Sequence, residues 1–419
     1  MNYQRCAEKL ALNQRLKVLF IDDVGFLYGA GIAQFRQAQS FLLQGHRVGV
    51  FCWMGASQIA RWILPYGVER HLWFGARTFS QLHHQNGLDD ETIVKELVAA
   101  VVEFDPDLVI VGNLHGAQWP LQLFDSLRQQ DFLTVAYLHD CYLLSGRCAY
   151  PGNCRKFLTG CDGSCPTADE YPTLPAHEIA DAWQYRRYLF EGQEAVPVAT
   201  NSRWVLDLYR QSFPEAGFSE VVYLGIDTSV YRPVSRHLAC NLLGLPEERS
   251  IILFGAVNME DQRKGGDVLR QVVERFKQEA CFVAFGANSG NLFTDIESTG
   301  SLVDDFRKMH LLFSAADLYL FTSKEEAFGQ TVMEASASAT PVIAFNVGGV
   351  GEVAIKDVNA VLLDETTFEA MSTVVEGFLQ GSLNFEAYGP AGRSLVTERF
   401  SLTSQGKGWE QYLSAIAAL

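Results

Sequence analysis

No run of about eighteen consecutive apolar residues occurs in this sequence, which excludes a membrane-spanning helix. Positive charge is also short: 33 Lys and Arg stand against 49 Asp and Glu, a formal net charge of -16. A surface of that sign repels a phosphate backbone, so nucleic-acid binding is excluded as the main business, while a local basic pocket for a small phosphate ligand stays open. The N-terminal MNYQRCAEKLALNQRLK lacks the apolar core of a signal peptide, so a reducing, cytoplasmic compartment is expected. Nine cysteines are then not a disulfide framework. Internal repeats and low-complexity tracts are missing as well. What remains is 419 residues, 48% hydrophobic and 20% charged, the composition of a globular protein. That length exceeds one ordinary core and predicts two domains of roughly 200 residues.

Continuous apolar runs alternate with helical periodicity along the first half. Leu16 to Ile21, Arg47 to Trp53, Asp107 to Val111, Leu133 to Leu138 and Val196 to Asn201 read as strands, the last ending the first sheet. Ile32 to Leu43, Glu91 to Phe104, Gln118 to Gln129 and Glu178 to Glu191 read as helices between them. A helix opening at Ser202-Arg203-Trp204 follows. Such alternation predicts a doubly wound parallel sheet, which binds ligands beyond the carboxyl ends of its strands. Three loops leave such ends: Gly29-Ala30-Gly31, Asn113 to Gly116 with His115, and His139-Asp140. Gly29 and Gly31 suit either a plain helix start or a close approach to phosphate or sugar. They do not make a dinucleotide fingerprint, because Gln34 stands where Gly or Ala is required. Two histidines on neighbouring strand ends point toward a polar site, although each alone would be read as structural.

Gly146 to Pro166 reads GRCAYPGNCRKFLTGCDGSCP, placing Cys148, Cys154, Cys161 and Cys165 in an irregular, glycine-rich insertion. Four thiolates around a structural Zn²⁺ would supply the constraint such an insertion needs, and would leave no open position for catalysis. Free thiols or a facultative disulfide are the plainer alternative.

Val221 to Pro233 reads as a strand followed by a turn-rich connector, and a second alternation begins at Ile251, with a helix from Asp304 to Ser314 and a strand from Asp317 to Phe321. Arg263-Lys264-Gly265-Gly266 lies between its first strand and first helix, where cations, backbone N–H groups and the helix dipole suit a phosphate. A solvated basic turn is the common alternative, less natural in so acidic a chain. Further on, Thr322 to Glu352 reads TSKEEAFGQTVMEASASATPVIAFNVGGVGE. It predicts a strand exit, then a helix from Phe328 whose first turn (Gly329, Gln330, Thr331) favours an anion. Glu326 precedes that helix and Glu334 lies within it. They are placed to grip separate parts of one long ligand or, more plainly, to sit solvated at a helix start.

These residues resemble the retaining glycosyltransferases of family 4, with the GT-B fold. E-A-F-G-Q-T-V-M-E-A is similar to the family's E-x7-E motif, and P-V-I-A-F-N-V-G-G to its continuation. GAGIAQF resembles its glycine loop, N-L-H-G and Y-L-H-D its histidine loops, LGIDTSVYRP its connector and RKGG its phosphate site. The cysteine segment is similar to a bacterial branch concerned with exopolysaccharide or cell-surface glycan assembly. The resemblance implies two Rossmann-like domains facing across a cleft. The divisions are 1–214 for the acceptor, with a helix of 400–419 packing back on it, and 215–399 for the nucleotide sugar. It implies Glu326 on the transferred sugar, Glu334 on the ribose, Arg263 and Lys264 on the diphosphate, Gly31 approaching that diphosphate, and His115 facing the sugar. Phe328 to Thr331 would complete the donor side, and His139 and Asp140 the acceptor side. Transfer would need no metal. Asn258 stands where the family has an arginine, and Ala339 replaces a glycine, at a cost on the order of 1 kcal/mol if it takes a positive φ. Expected partners are a UDP- or GDP-type sugar and a glycan, lipid-linked or small-molecule acceptor, with peripheral contact to the inner membrane face if that acceptor is lipid-linked. An inactive nucleotide-sugar-binding protein of the same fold is the alternative.

Overall fold

The computed structural model describes residues 3–12, 14–24, 28–53, 72–74, 82–287, 293, 296–298 and 308–418. The chain divides into two compact units, Met1–Gly225 with Leu402–Leu419, and Ile226–Ser401.

The first unit carries a seven-stranded sheet of order β3-β2-β1-β4-β5-β6-β7, every pair parallel. Its strands are β1 Lys17–Asp22, β2 Arg47–Cys52, β3 Leu72–Phe74, β4 Leu108–Val111, β5 Thr134–Leu138, β6 Val198–Thr200 and β7 Ser219–Val221. β4 and β5 are buried along their whole length, which is why they read as unbroken apolar runs. Helices α1 Tyr3–Ala11 and α2 Tyr28–Leu43 pack against the last helix, Leu402–Ala417. Fully buried Trp409 on that helix sets its ring 5.7 Å from Phe41 of α2 and 5.9 Å from Tyr137 of β5.

The second unit is a six-stranded parallel sheet of order β10-β9-β8-β11-β12-β13. Its strands are β8 Ile251–Asn258, β9 Cys281–Ala287, β10 Glu297–Ser298, β11 Leu318–Phe321, β12 Val342–Phe345 and β13 Ala360–Leu363. Phe254, Val272, Phe276, Ile343 and Met371 build one core on a face of this sheet. Its ends meet in a parallel bridge between Ile226 and Ser401.

Three expectations shift, and a fourth falls partly outside the described residues. β6 does not end the first sheet: β7, which overlaps the strand expected from Val221, adds beyond it. The division therefore falls at 225/226 instead of 214/215. α2 begins at Tyr28, so Gly29 and Gly31 lie in its first turn instead of in a loop before it. The helix expected from Gln118 starts at Gln122, because Gln118 takes φ 52 and the residue before Pro120 is disfavoured in a helix. The helix expected from Asp304 is described from Met309; residues 304–307 lie outside the described ones.

Candidate active site

In the second unit the strand order reverses between β8 and β11, the position where open α/β sheets hold ligands. β8 leads into the single turn Gln262–Lys264, and β11 into Thr322–Ala327. Lys264 Nζ donates to Glu326 Oε2 at 2.7 Å, so an ion pair spans the reversal. The backbones are tied as well: Thr322 Oγ1 donates to the Lys264 carbonyl at 2.9 Å, and the Lys324 N–H to the Arg263 carbonyl at 2.8 Å. Gly265, at φ 70, must be glycine, because a Cβ there would collide with the Thr322 carbonyl. Arg263 donates to Asp261 Oδ2 at 2.9 Å and to the Glu325 carbonyl at 3.2 Å, which aims its guanidinium along the same loop.

Burial pushes the Glu326 carboxyl up, but Lys264 and then Arg263 outweigh it and hold the group below the usual carboxylate range. Gly348 (φ 56) and Gly349 press against it from β12's exit. A Cβ on Gly348 would strike the Glu326 carbonyl, which accepts from the Gly349 N–H at 3.0 Å. The following helix starts at Gln330 instead of Phe328, because Gly329 takes φ 96 and caps it in a left-handed conformation. Its positive dipole end is an anion-favouring position. Thr331 is held there by Tyr319, whose hydroxyl donates to Thr331 Oγ1 at 2.8 Å. Glu334 is 6% exposed, and the buried ring of Phe328 packs 5.8 Å from Phe400, so its side chain serves the core. Asn258 ends β8 and accepts from the Glu260 N–H at 3.0 Å.

In the first unit the reversal lies between β1 and β4, and a second polar cluster stands there. His115 Nε2 lies 3.4 Å from Asp140 Oδ2, and its Nδ1 lies 2.8 Å from the Tyr171 hydroxyl. A carboxylate can only accept, so Nε2 carries a proton; in the neutral ring Nδ1 then accepts from Tyr171. Burial pushes His115 down, but the hydrogen bond and charge of Asp140 outweigh it and raise the ring above its ordinary value. Asp140 also accepts from the Tyr142 N–H at 2.8 Å and from Asn113 Nδ2 at 3.2 Å. His139 is buried as well, and burial outweighs the charge of Asp140 and pushes the ring down to about 4; its carbonyl accepts from Asn201 at 2.9 Å.

Asp22 and Asp23 were not singled out by the sequence, although Asp22 ends a buried strand and Asp23 follows it. Asp22 accepts from the N–H groups of Val24 and Asn113, both at 3.2 Å, and Asp23 accepts from the Gly116 N–H. Burial, and for Asp22 also the neighbouring Asp23, holds both carboxyls above the usual range. His115, Tyr171, Tyr142, Trp119 and Arg186 are among the residues lining a cleft of about 910 Å³. Aromatic faces beside carboxylates and guanidinium groups suit a ligand rich in hydroxyls.

The four cysteines Cys148, Cys154, Cys161 and Cys165 carry free thiols and all line one small cavity. Among the described residues no group of three or more His, Cys, Asp or Glu is placed to hold a metal ion. Among the described residues, too, no helix is long and apolar enough to cross a membrane.

Residues 248–380 match the model of the family described as Glycosyl transferases group 1. The chain is 30% identical over 240 residues to a D-inositol 3-phosphate glycosyltransferase of Xylanimonas cellulosilytica, covering 52% of this chain and 55% of that one. A protein of the same description from Streptosporangium roseum is 26% identical over 239 residues, covering 52% of each. The chain thus spans about half the length of the curated relatives it matches. Among solved structures it is similar to a sucrose-phosphate synthase from Thermosynechococcus elongatus, with a TM-score of 0.72 at 17% identity over 97% of this chain and 100% of that one. It is likewise similar to an Anabaena protein solved with UDP and glucose, with a TM-score of 0.67 at 19% identity over 97% and 100%. The fold is therefore GT-B, and within the second unit residues 248–380 are similar to the group 1 glycosyl transferases.

Proposed function

We propose that the chain is a retaining glycosyltransferase of family 4 that moves a hexose from a nucleotide-diphosphate sugar to a hydroxyl acceptor. The observation that carries this is the Lys264–Glu326 pair across the strand reversal of the second unit, with Arg263 beside it. Cleaving a sugar from a diphosphate leaves negative charge on the leaving group, and stabilising that charge is the main catalytic task. Lys264, Arg263 and the helix start at Gly329 do it with this chain's own groups, so transfer requires no metal. Glu326 meets the sugar and Glu334 the ribose; Gly29 and Gly31, opening α2, and His115 take the roles the resemblance assigns them toward the donor. An Anabaena neighbour solved with UDP-glucose supports a nucleotide sugar as the ligand of such a fold.

The first unit takes the acceptor, a glycan, a lipid-linked sugar or a small polyhydroxylated molecule, in the cleft beside His115, with His139 and Asp140 behind it. Assembly of a cell-surface or exported polysaccharide in the cytoplasm, at the inner membrane face, is the setting this reading favours. To test it, the protein is incubated with UDP-, GDP- and ADP-sugars and nucleotide release is followed. One donor class should turn over, and Glu326→Ala and Lys264→Ala should each abolish most of that turnover. Saturable binding without release across a broad acceptor set would make the chain a binding protein; no binding at all would refute both readings.

A further inference from the structure

Arg147 is 3% exposed, and none of its partners carries a negative charge. Its guanidinium donates to the carbonyls of Thr167, Glu170 and Pro172 and to Thr167 Oγ1, while its Nε has no hydrogen-bond partner. No carboxylate pairs with it among the described residues. A buried cation is costly unless an anion compensates it. Cys148, Cys154, Cys161 and Cys165 line, with Arg147 and the ion-paired Lys156 and Asp162, one cavity of about 10 Å³, the room of a single small atom.

We infer that these four cysteines bind one soft divalent cation of the Zn²⁺ class as thiolates, with Arg147 offsetting part of the charge of the site. Four thiols release four protons on binding, and four thiolates with one dication leave two negative charges; Arg147 offsets one, while Lys156 is already paired with Asp162 at 2.8 Å. Tetrahedral sulfur coordination is the arrangement such an ion takes in structural sites. The thiols line one cavity but, as placed, do not hold an ion, so binding requires the sulfurs to draw inward. Gly152 and Gly160, at φ 57 and φ 143, lie between the cysteines where the chain can turn. All four positions are filled by protein, so the ion is structural.

The purpose of the site follows from Arg147, which lines both this cavity and the large cleft. Its hydrogen bonds to residues 167, 170 and 172 hold the segment that sets Tyr171 on His115. The metal would fix one wall of that cleft.

Zinc per chain is measured by elemental analysis in protein purified under reducing conditions, alongside a Cys154→Ser, Cys161→Ser double variant and a Cys240→Ser control. About one zinc per chain is expected in the wild type and the control, and almost none in the double variant. Cobalt titration of the unmutated chain reads the same site whether or not the double variant folds. It should show intense sulfur-to-cobalt charge-transfer absorption, saturating at one ion. A folded wild-type chain that holds no zinc and gives no such spectrum overturns the inference, as does zinc content unchanged by the double substitution. None of these readouts depends on glycosyl transfer, so the site can fail while the proposed activity stands, and the reverse.

Discussion

Removing either member of the Lys264–Glu326 pair leaves the other largely buried without its counter-charge, since their side chains are only 20% and 14% exposed. Lys264→Ala and Glu326→Ala should each lower donor turnover by about 10²–10³-fold, the usual size for loss of one preorganised charge. The double variant should lose far less than the product of the two, because the pair acts as a unit. Initial rates of nucleotide release on one donor decide this. His139 gives a pH signature of opposite character to a paired histidine. Its folded value, about 4, lies below the ordinary 6.5, so the unfolded chain binds more protons between those limits. The stability from keeping it neutral is complete above about pH 6.5 and is lost as pH falls toward 4, by roughly 3 kcal/mol at most. Denaturant unfolding at several pH values should show this acid-side slope, and His139→Gln should flatten it. If slope and variant coincide with the wild type, burial does not control this ring.

At the scale of elements, two left-handed positions follow the helix Gln330–Ala337, one on either side of β12. Gly348→Ala would drive a Cβ into the Glu326 carbonyl at φ 56 and should destabilise the second unit by at least about 2 kcal/mol in chemical denaturation. Ala339 sits at φ 61, the strained conformation that its place in the motif suggested. Ala339→Gly should therefore stabilise, by up to about 1 kcal/mol after the entropy a glycine adds to the unfolded chain. An unchanged or lowered unfolding midpoint would show that strain is absent. The elements that could be read in the sequence were those buried on both sides, such as β4 and β5, whose apolar runs leave little else to be. β3, three residues long, is too short for periodicity to register; it exists because a neighbouring edge offers hydrogen bonds. Helix starts missed by two to four residues because glycine and proline positions, not apolar spacing, set them.

In the whole molecule, the chain leaves the first unit at Gly225 and returns to it at Leu402. The returning helix closes the first unit's core through Trp409, so Trp409→Ala should cost about 3–5 kcal/mol. That loss should appear in the unfolding transition of the first unit and leave the second unchanged, which domain-resolved hydrogen exchange would report. Loss spread equally over both units would contradict the division. What the amino-acid order determined alone was the alternation of strand and helix, two doubly wound domains, and which residues stand at strand ends. Burial writes itself into local periodicity, and strand ends follow. Only the tertiary structure decided which of those ends are neighbours. Strand order brings Lys264 to Glu326 across 62 residues, sets Asp22 and Asp23 beside the His115 loop, and folds the cysteine insertion back so that Tyr171 reaches His115. Periodicity records how each element meets the core, whereas strand adjacency is a property of the whole sheet.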